Sequence, residues 1–175
     1  MRRGGNPLSS CRTTQPRASS TLLRQDGRAT YRNMGKRVTP PEAAELLKQG
    51  WRYIDVRSVQ EFDAGHPLGA LNVPLLHMHD GRMVGNSDFQ KVIEANFAKE
   101  EPLVVGCKMG GRSLQAATLM EAAGFTKVVD VRGGFAGERD PYGRVSVPGW
   151  VDSGLAVATQ PAPGASYEEL ATKAR

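Results

Sequence analysis

Three short apolar runs separated by helical patterns constrain this chain more than any other feature of its sequence. Arg52 to Val56, Pro102 to Gly106 and Lys127 to Val131 each read as a buried strand of four to six residues. Strands alternating with helices must be joined by crossover connections, because a tight turn can only reverse direction. The expected fold class is therefore α/β: a mostly parallel central sheet with helices on both faces. In such sheets, ligands sit beyond the carboxyl ends of the strands.

The intervening helices carry their own start and stop signals. Thr39-Pro40-Pro41-Glu42 combines a capping box with proline at the first helical position, and it predicts a short helix over Ala43 to Gln49 that Gly50 stops. Ser58-Val59-Gln60-Glu61 repeats the capping box, and Gly65 closes that one-to-two-turn helix. Phe89, Val92, Ile93 and Phe97 have helical spacing after a cap at Ser87, and Ser113 to Ala123 forms a further helix ended by Gly124. Beyond residue 145 the chain loosens. Pro161-Ala162-Pro163-Gly164 reads as a linker, and Tyr167 to Lys173 as at most a weak terminal helix.

The chemistry concentrates at the end of the middle strand. Cys107 follows Leu103-Val104-Val105-Gly106 and opens a six-residue turn, Cys107-Lys108-Met109-Gly110-Gly111-Arg112, that runs into a helix. A thiol there is expected to be within reach of solvent, at the positive end of a helix dipole and facing backbone N–H groups. Gly110 and Gly111 supply the positive φ that such a turn needs, and Lys108 and Arg112 place positive charge at the rim. These features favour a thiolate nucleophile over a core filler, and the same cradle would hold an anionic sulfur carried on the cysteine.

The loop resembles that of the rhodanese-homology domains, in which a catalytic cysteine begins a six-residue loop between a central strand and a helix. Upstream, Tyr53 to His66 contains Asp55-Val56-Arg57, Glu61-Phe62 and Gly65-His66, similar to the first signature of that family. Downstream, Val128 to Phe135 ends in Gly133-Gly134-Phe135, similar to the closing Gly-Gly-aromatic signature. Pro67 stands where an aliphatic residue is more common, and Phe135 where tryptophan is common. The resemblance implies a rhodanese-like fold and a single-domain sulfurtransferase that moves sulfane sulfur from a donor such as thiosulfate, through a Cys107 persulfide, to a thiol or cyanide. No cofactor or metal is implied. Asp55, Arg57 and Glu61 read as a hydrogen-bonded network that braces the cysteine loop, the alternative being direct substrate contact, and the resemblance implies the bracing role for Asp55 and Arg57. Lys108 and Met109 would line the loop's rim and influence substrate preference, and His66 would be structural. Arg112 would either bind an anionic substrate or face solvent at the helix start.

Two other function classes remain open. A phosphatase or arsenate reductase also uses a thiolate in an N–H cradle, but those loops resemble cysteine, five residues, then arginine, whereas four residues separate Cys107 from Arg112. A non-catalytic or sulfur-carrying module that binds a partner protein is the second.

Length and charge set the outline. The 175 residues fit one core of ordinary size. The formal charge of +5 is unevenly placed: residues 1–38 hold nine of the 23 Lys and Arg and one acid, Asp26, so that stretch carries +8 and the rest −3. The boundaries expected are a disordered basic extension over 1–37, the folded domain over 38–158 and a flexible tail over 159–175. The extension, rich in Arg, Ser and Thr, is read as an upstream stretch not normally translated, with Met34 the start and a cytoplasmic location. The alternative is that residues 1–33 are an organellar transit peptide for mitochondrion or plastid, which shares this composition. A nucleic-acid-binding arm is disfavoured because Tyr31 is the one aromatic residue among its arginines. With two cysteines, Cys11 and Cys107, no disulfide framework is expected. His77 and His79 beside Asp80 read as a solvated loop rather than a metal site. The expected protein is a monomer acting on small molecules, with no membrane or nucleic-acid partner.

Overall fold

The computed structural model describes residues 36–175, together with Met1. Cys11, Asp26, Tyr31, Met34 and the expectations placed on residues 2–35 lie outside the described residues.

Five strands form one all-parallel sheet: β1 (Lys36–Val38), β2 (Arg52–Asp55), β4 (Leu71–Asn72), β7 (Leu103–Gly106) and β8 (Val128–Val131). Their order is β1-β8-β7-β2-β4, so the strand that leads to Cys107 is central. Alternate residues along each strand point to opposite faces, and the sequence supplies an apolar residue for both. Ile54, Val105 and Val128 enter one core, where they pack with Phe89, Val92 and Ile93 of helix α3 (Phe89–Asn96) and Ala116, Ala117 and Met120 of α4 (Gly111–Ala122). Tyr53, Val104 and Val129 enter the other, with Ala43 and Leu46 of α1 (Pro40–Lys48) and Phe62 of α2 (Val59–Asp63). The α/β class with helices on both faces is thus as the alternating pattern predicts. Both expected capping boxes form, at Thr39 with Glu42 and at Ser58 with Glu61.

Three antiparallel pairs decorate this core. They are β3 (His66–Pro67) with β11 (Val157–Ala158), β5 (Leu76–His79) with β6 (Arg82–Gly85), and β9 (Glu138–Arg139) with β10 (Val145–Val147). The stretch around His77 and His79 is therefore a hairpin strand and not a loop. Its turn, Asp80-Gly81, has φ of 47° and 73°, the doubly positive geometry of a two-residue hairpin. Among the described residues no group of three or more His, Cys, Asp or Glu side chains could hold a metal ion.

Both expected ends of the domain need revision. Lys36 and Arg37 belong to β1, where they pair with Val129 and Asp130 through backbone bonds that take no account of their charge. At the other end, Tyr167–Thr172 forms helix α5, capped by Ser166 with Glu169, and Leu170 and Ala165 are buried in the first core. A residue 2% exposed against a packed core is inconsistent with a flexible tail. Trp150 likewise lies in the second core, and its indole N–H donates to the Ala156 carbonyl at 2.9 Å. Helix α3 starts one residue later than expected, with Asp88 rather than Ser87 at its cap. Among the described residues no helix is long and apolar enough to cross a membrane.

Candidate active site

The carboxyl ends of β2, β7 and β8 lie side by side, which brings the three sequence signatures to one edge of the sheet. Cys107 leaves β7 there. Its Sγ accepts a hydrogen bond from the Gly110 N–H at 3.1 Å. Gly110 has φ of +92° and forms the cap of α4, so this glycine turns the chain into the helix. Gly111 is already in the helix without a positive φ, so only Gly110 uses the conformational freedom expected of both. Cys107 itself is 2% exposed, more enclosed than a solvent-accessible turn would leave it. The exposed loop side chains are Lys108 and Met109, at the rim.

The enclosure comes from the closing signature. The Phe135 N–H donates to the Cys107 carbonyl at 2.7 Å and the Ala136 N–H to the Lys108 carbonyl at 2.8 Å. This close backbone approach is possible because residue 134 has no side chain. A Cβ on Gly134, whose φ is +56°, would lie 2.3 Å from the Cys107 carbonyl oxygen. Below the loop, a Cβ on Gly106 would meet the Tyr53 ring and hydroxyl. That hydroxyl is buried and has no hydrogen-bond partner among the described residues, and burial raises the phenol well above its ordinary pKa.

Asp55 and Arg57 are both buried and bonded to each other, with Arg57 Nη2 at 2.6 Å from the Asp55 carboxylate. The same Nη2 donates to the Gly65 carbonyl at 2.8 Å, and the guanidinium lies 4.2 Å from the centre of the Phe135 ring. Arg57 therefore supports the residue whose N–H holds Cys107. His66 stacks on Phe62 at 3.7 Å with Nδ1 2.8 Å from the Phe62 carbonyl, a buried and structurally satisfied histidine.

Arg112 does not face solvent at the helix start. It forms a two-pronged pair with Glu61, at 2.6 and 2.8 Å, and both side chains are largely covered. Burial by itself would raise the Glu61 carboxyl, but Arg112 and the Ser58 N–H outweigh it and hold the group at about 2. The positive charge of Arg112 is thus compensated within the protein, and the capping glutamate of α2 is tied to the loop's last residue.

One member of this assembly escaped the sequence reading. Arg37 donates from Nε to both carboxylate oxygens of Asp130, at 3.0 and 3.2 Å, and from Nη2 to the Gly110 carbonyl at 3.0 Å. Ser113 Oγ lies 3.5 Å from the same carboxylate. Burial raises the Asp130 carboxyl, and the bonds from Arg37 offset only part of that rise. A lone arginine two residues before a cap carries no periodic signal. Asp130 carries one: a carboxylate in the middle of an otherwise apolar strand calls for a buried partner.

Comparison with known proteins bears on the family and the fold. A family model described as the rhodanese-like domain matches residues 39–138. Thiosulfate sulfurtransferase 16, chloroplastic, from Arabidopsis thaliana is 43% identical over 99 residues, which cover 57% of this chain and 82% of that protein. Rhodanese-like domain-containing protein 15, chloroplastic, from the same plant is 40% identical over 93 residues, and the match spans about half of that relative, 51%, and 53% of this chain. Among solved structures, Rv0390 from M. tuberculosis aligns with a TM-score of 0.62 at 26% identity, covering 73% of this chain and 100% of its own.

Proposed function

This chain belongs to the rhodanese-like domain family, and on that premise we propose that it is a sulfurtransferase carrying sulfane sulfur on Cys107. The observation that carries the proposal is the Gly110 N–H aimed at Sγ from a loop whose backbone is held from behind by Phe135 and Ala136. Relatives named as thiosulfate sulfurtransferases support the same activity and the choice of thiosulfate as donor.

In the first half-reaction the Cys107 thiolate attacks the outer sulfur of thiosulfate. A new S–S bond forms, the S–S bond of the donor breaks, and sulfite leaves with its electron pair. The loop amides, Gly110 foremost, stabilise the anionic outer sulfur of the resulting persulfide. In the second half-reaction cyanide or a thiolate attacks that outer sulfur, and the electrons of the broken S–S bond return to Cys107. Lys108, exposed at the rim, supplies the cation that attracts an anionic donor. Asp55 and Arg57 act through Phe135 as positioning residues.

A phosphatase or arsenate reductase would need its loop arginine to clamp a tetrahedral oxyanion. Here Arg112 is engaged by Glu61 through both terminal nitrogens, and the loop is one residue shorter than those enzymes use. The test is turnover of thiosulfate with cyanide beside hydrolysis of an aryl phosphate. The sulfur assay should give turnover and the phosphate assay essentially none. Efficient phosphate hydrolysis with no sulfur transfer would overturn the assignment. For location, the name of the chloroplastic relative and the basic, acid-poor composition of residues 1–35 favour the organellar alternative over the cytoplasm. Import of a full-length fluorescent fusion into isolated plastids, followed by its shortening, would test it.

A further inference from the structure

We propose that Arg37 is a positioning residue for sulfur transfer, fixing the loop through the carbonyl of the same glycine whose N–H faces the cysteine. The proposal rests on the sulfurtransferase reading for its chemistry and on contacts at Gly110 for its geometry. Gly110 donates its N–H to Cys107 Sγ at 3.1 Å, and its carbonyl accepts from Arg37 Nη2 at 3.0 Å. A residue at φ +92° with its N–H directed at sulfur is held at both of its polar groups, and the second hold comes from a strand 73 positions earlier in the chain.

The arginine is itself fixed. Asp130, buried on β8, accepts from Arg37 Nε at 3.0 and 3.2 Å and from Nη2 at 3.1 Å. Arg37 Nη2 is thereby shared between the carboxylate and the loop. A guanidinium can serve both because its N–H groups form a rigid planar fork, whereas an ammonium is a single point that must choose a partner or sit between them. The side chain is 35% exposed and Asp130 2%, so the pair bridges the sheet interior and the outer wall of the loop. There is little slack at this contact: a Cβ on Gly110 would come within 2.9 Å of Arg37 Nη2 and 3.3 Å of the Gly133 nitrogen. The loop is thus confined between the arginine and the closing signature. Amides placed in advance around a developing sulfur anion act on the transition state more than on substrate binding, so loss of their alignment lowers kcat and leaves KM largely unchanged.

The test uses the full chain in a Cys11→Ser background, with Arg37→Ala and Arg37→Lys. Two quantities are measured: kcat and KM for thiosulfate with cyanide, and the exchange rate of the Gly110 amide followed by nuclear magnetic resonance. Arg37→Ala should lower kcat by about tenfold to a hundredfold, the range expected of a misplacement near 1 Å, with KM changed little. Its Gly110 amide should exchange faster, while amides within α4 and β8 keep their protection. Arg37→Lys should recover only part of both effects. A wild-type kcat in Arg37→Ala would overturn the proposal, and so would full recovery in Arg37→Lys, which would leave charge and not the fork as the cause. So would a loss that only follows the unfolded fraction, with Gly110 exchanging at the wild-type rate in the folded molecules. If the wild-type protein takes no sulfur from thiosulfate, the sulfurtransferase reading fails separately, and the Gly110 amide still decides whether Arg37 holds the loop.

Discussion

The cysteine loop and the β5–β6 hairpin are held in opposite ways. The hairpin is its own two-stranded sheet, with His77 paired to Val84 and Met78 to Met83, and its side chains are mostly exposed. What fixes its turn and second strand is local, a two-residue turn at Asp80-Gly81 and Asn86 bonded to the Pro74 and Leu75 backbone, while its long-range contacts are confined to its base, where Leu76 packs on the first core and the His77 ring lies 5.2 Å from that of Tyr167. The loop from Cys107 to Arg112 makes few bonds within itself and is held from three distant elements. Phe135 and Ala136 hold its start, Arg37 its middle and Glu61 its end. A locally fixed segment tolerates change one residue at a time. A segment fixed by distant partners transmits each change to its own backbone, here the backbone that presents Cys107 Sγ and the Gly110 N–H facing it.

The sharpest way to break that contrast is Gly134→Ala. The added methyl must enter the Cys107 carbonyl at a positive φ, so overpacking and backbone strain act together. A destabilisation of about 3 kcal/mol or more is expected in urea unfolding, along with loss of sulfur transfer. A protein of unchanged stability would show that the loop is not confined from behind.

Glu61→Gln comes next. The pair with Arg112 is largely covered, so its loss should fall between that of an exposed and that of a buried pair, about 1–2 kcal/mol. Its pH dependence has a definite sign. The folded carboxyl titrates at about 2 against an ordinary value of 4.5, so its contribution is fully present above pH 4.5 and is lost as pH falls toward 2. Wild type should lose stability more steeply than Glu61→Gln across that window. Parallel curves for the two proteins would contradict the assignment of the low value to this pair.

The smallest effect is expected in the hairpin. Met83, 42% exposed, should tolerate alanine within about 0.5 kcal/mol and with unchanged sulfur transfer. A large loss of transfer in Met83→Ala would mean that the hairpin also acts on the site and would erase the contrast.

What could be read from the sequence follows the same division. The sheet, its helices on both faces and the position of Cys107 were legible because apolar runs, capping boxes and glycine stops are local patterns that the core then uses. Strand β1 was not legible: three residues with two charges show no period, and their place is set by backbone pairing to β8. Helix α5 did carry a signal, the Ser166 to Glu169 capping box, but the proline-rich stretch before it pointed to a loose tail. Asp80-Gly81 likewise carries a two-residue hairpin signal, but the largely exposed strands on either side lack the apolar alternation that would reinforce it. At the site, the loop residues and the Asp55–Arg57 brace were visible as motifs. The engagement of Arg112 by Glu61 and the reach of Arg37 were not, because each joins residues 51 or more positions apart and depends on the three-dimensional assembly.

The central claim is that the sulfur is carried on Cys107, and mass spectrometry tests it most directly. After incubation with thiosulfate and no acceptor, the intact protein should gain the mass of one sulfur, map that gain to the peptide containing Cys107, and lose it on treatment with dithiothreitol. Cys107→Ser should gain nothing. A gain that persists in Cys107→Ser, or that maps to Cys11, would contradict the account.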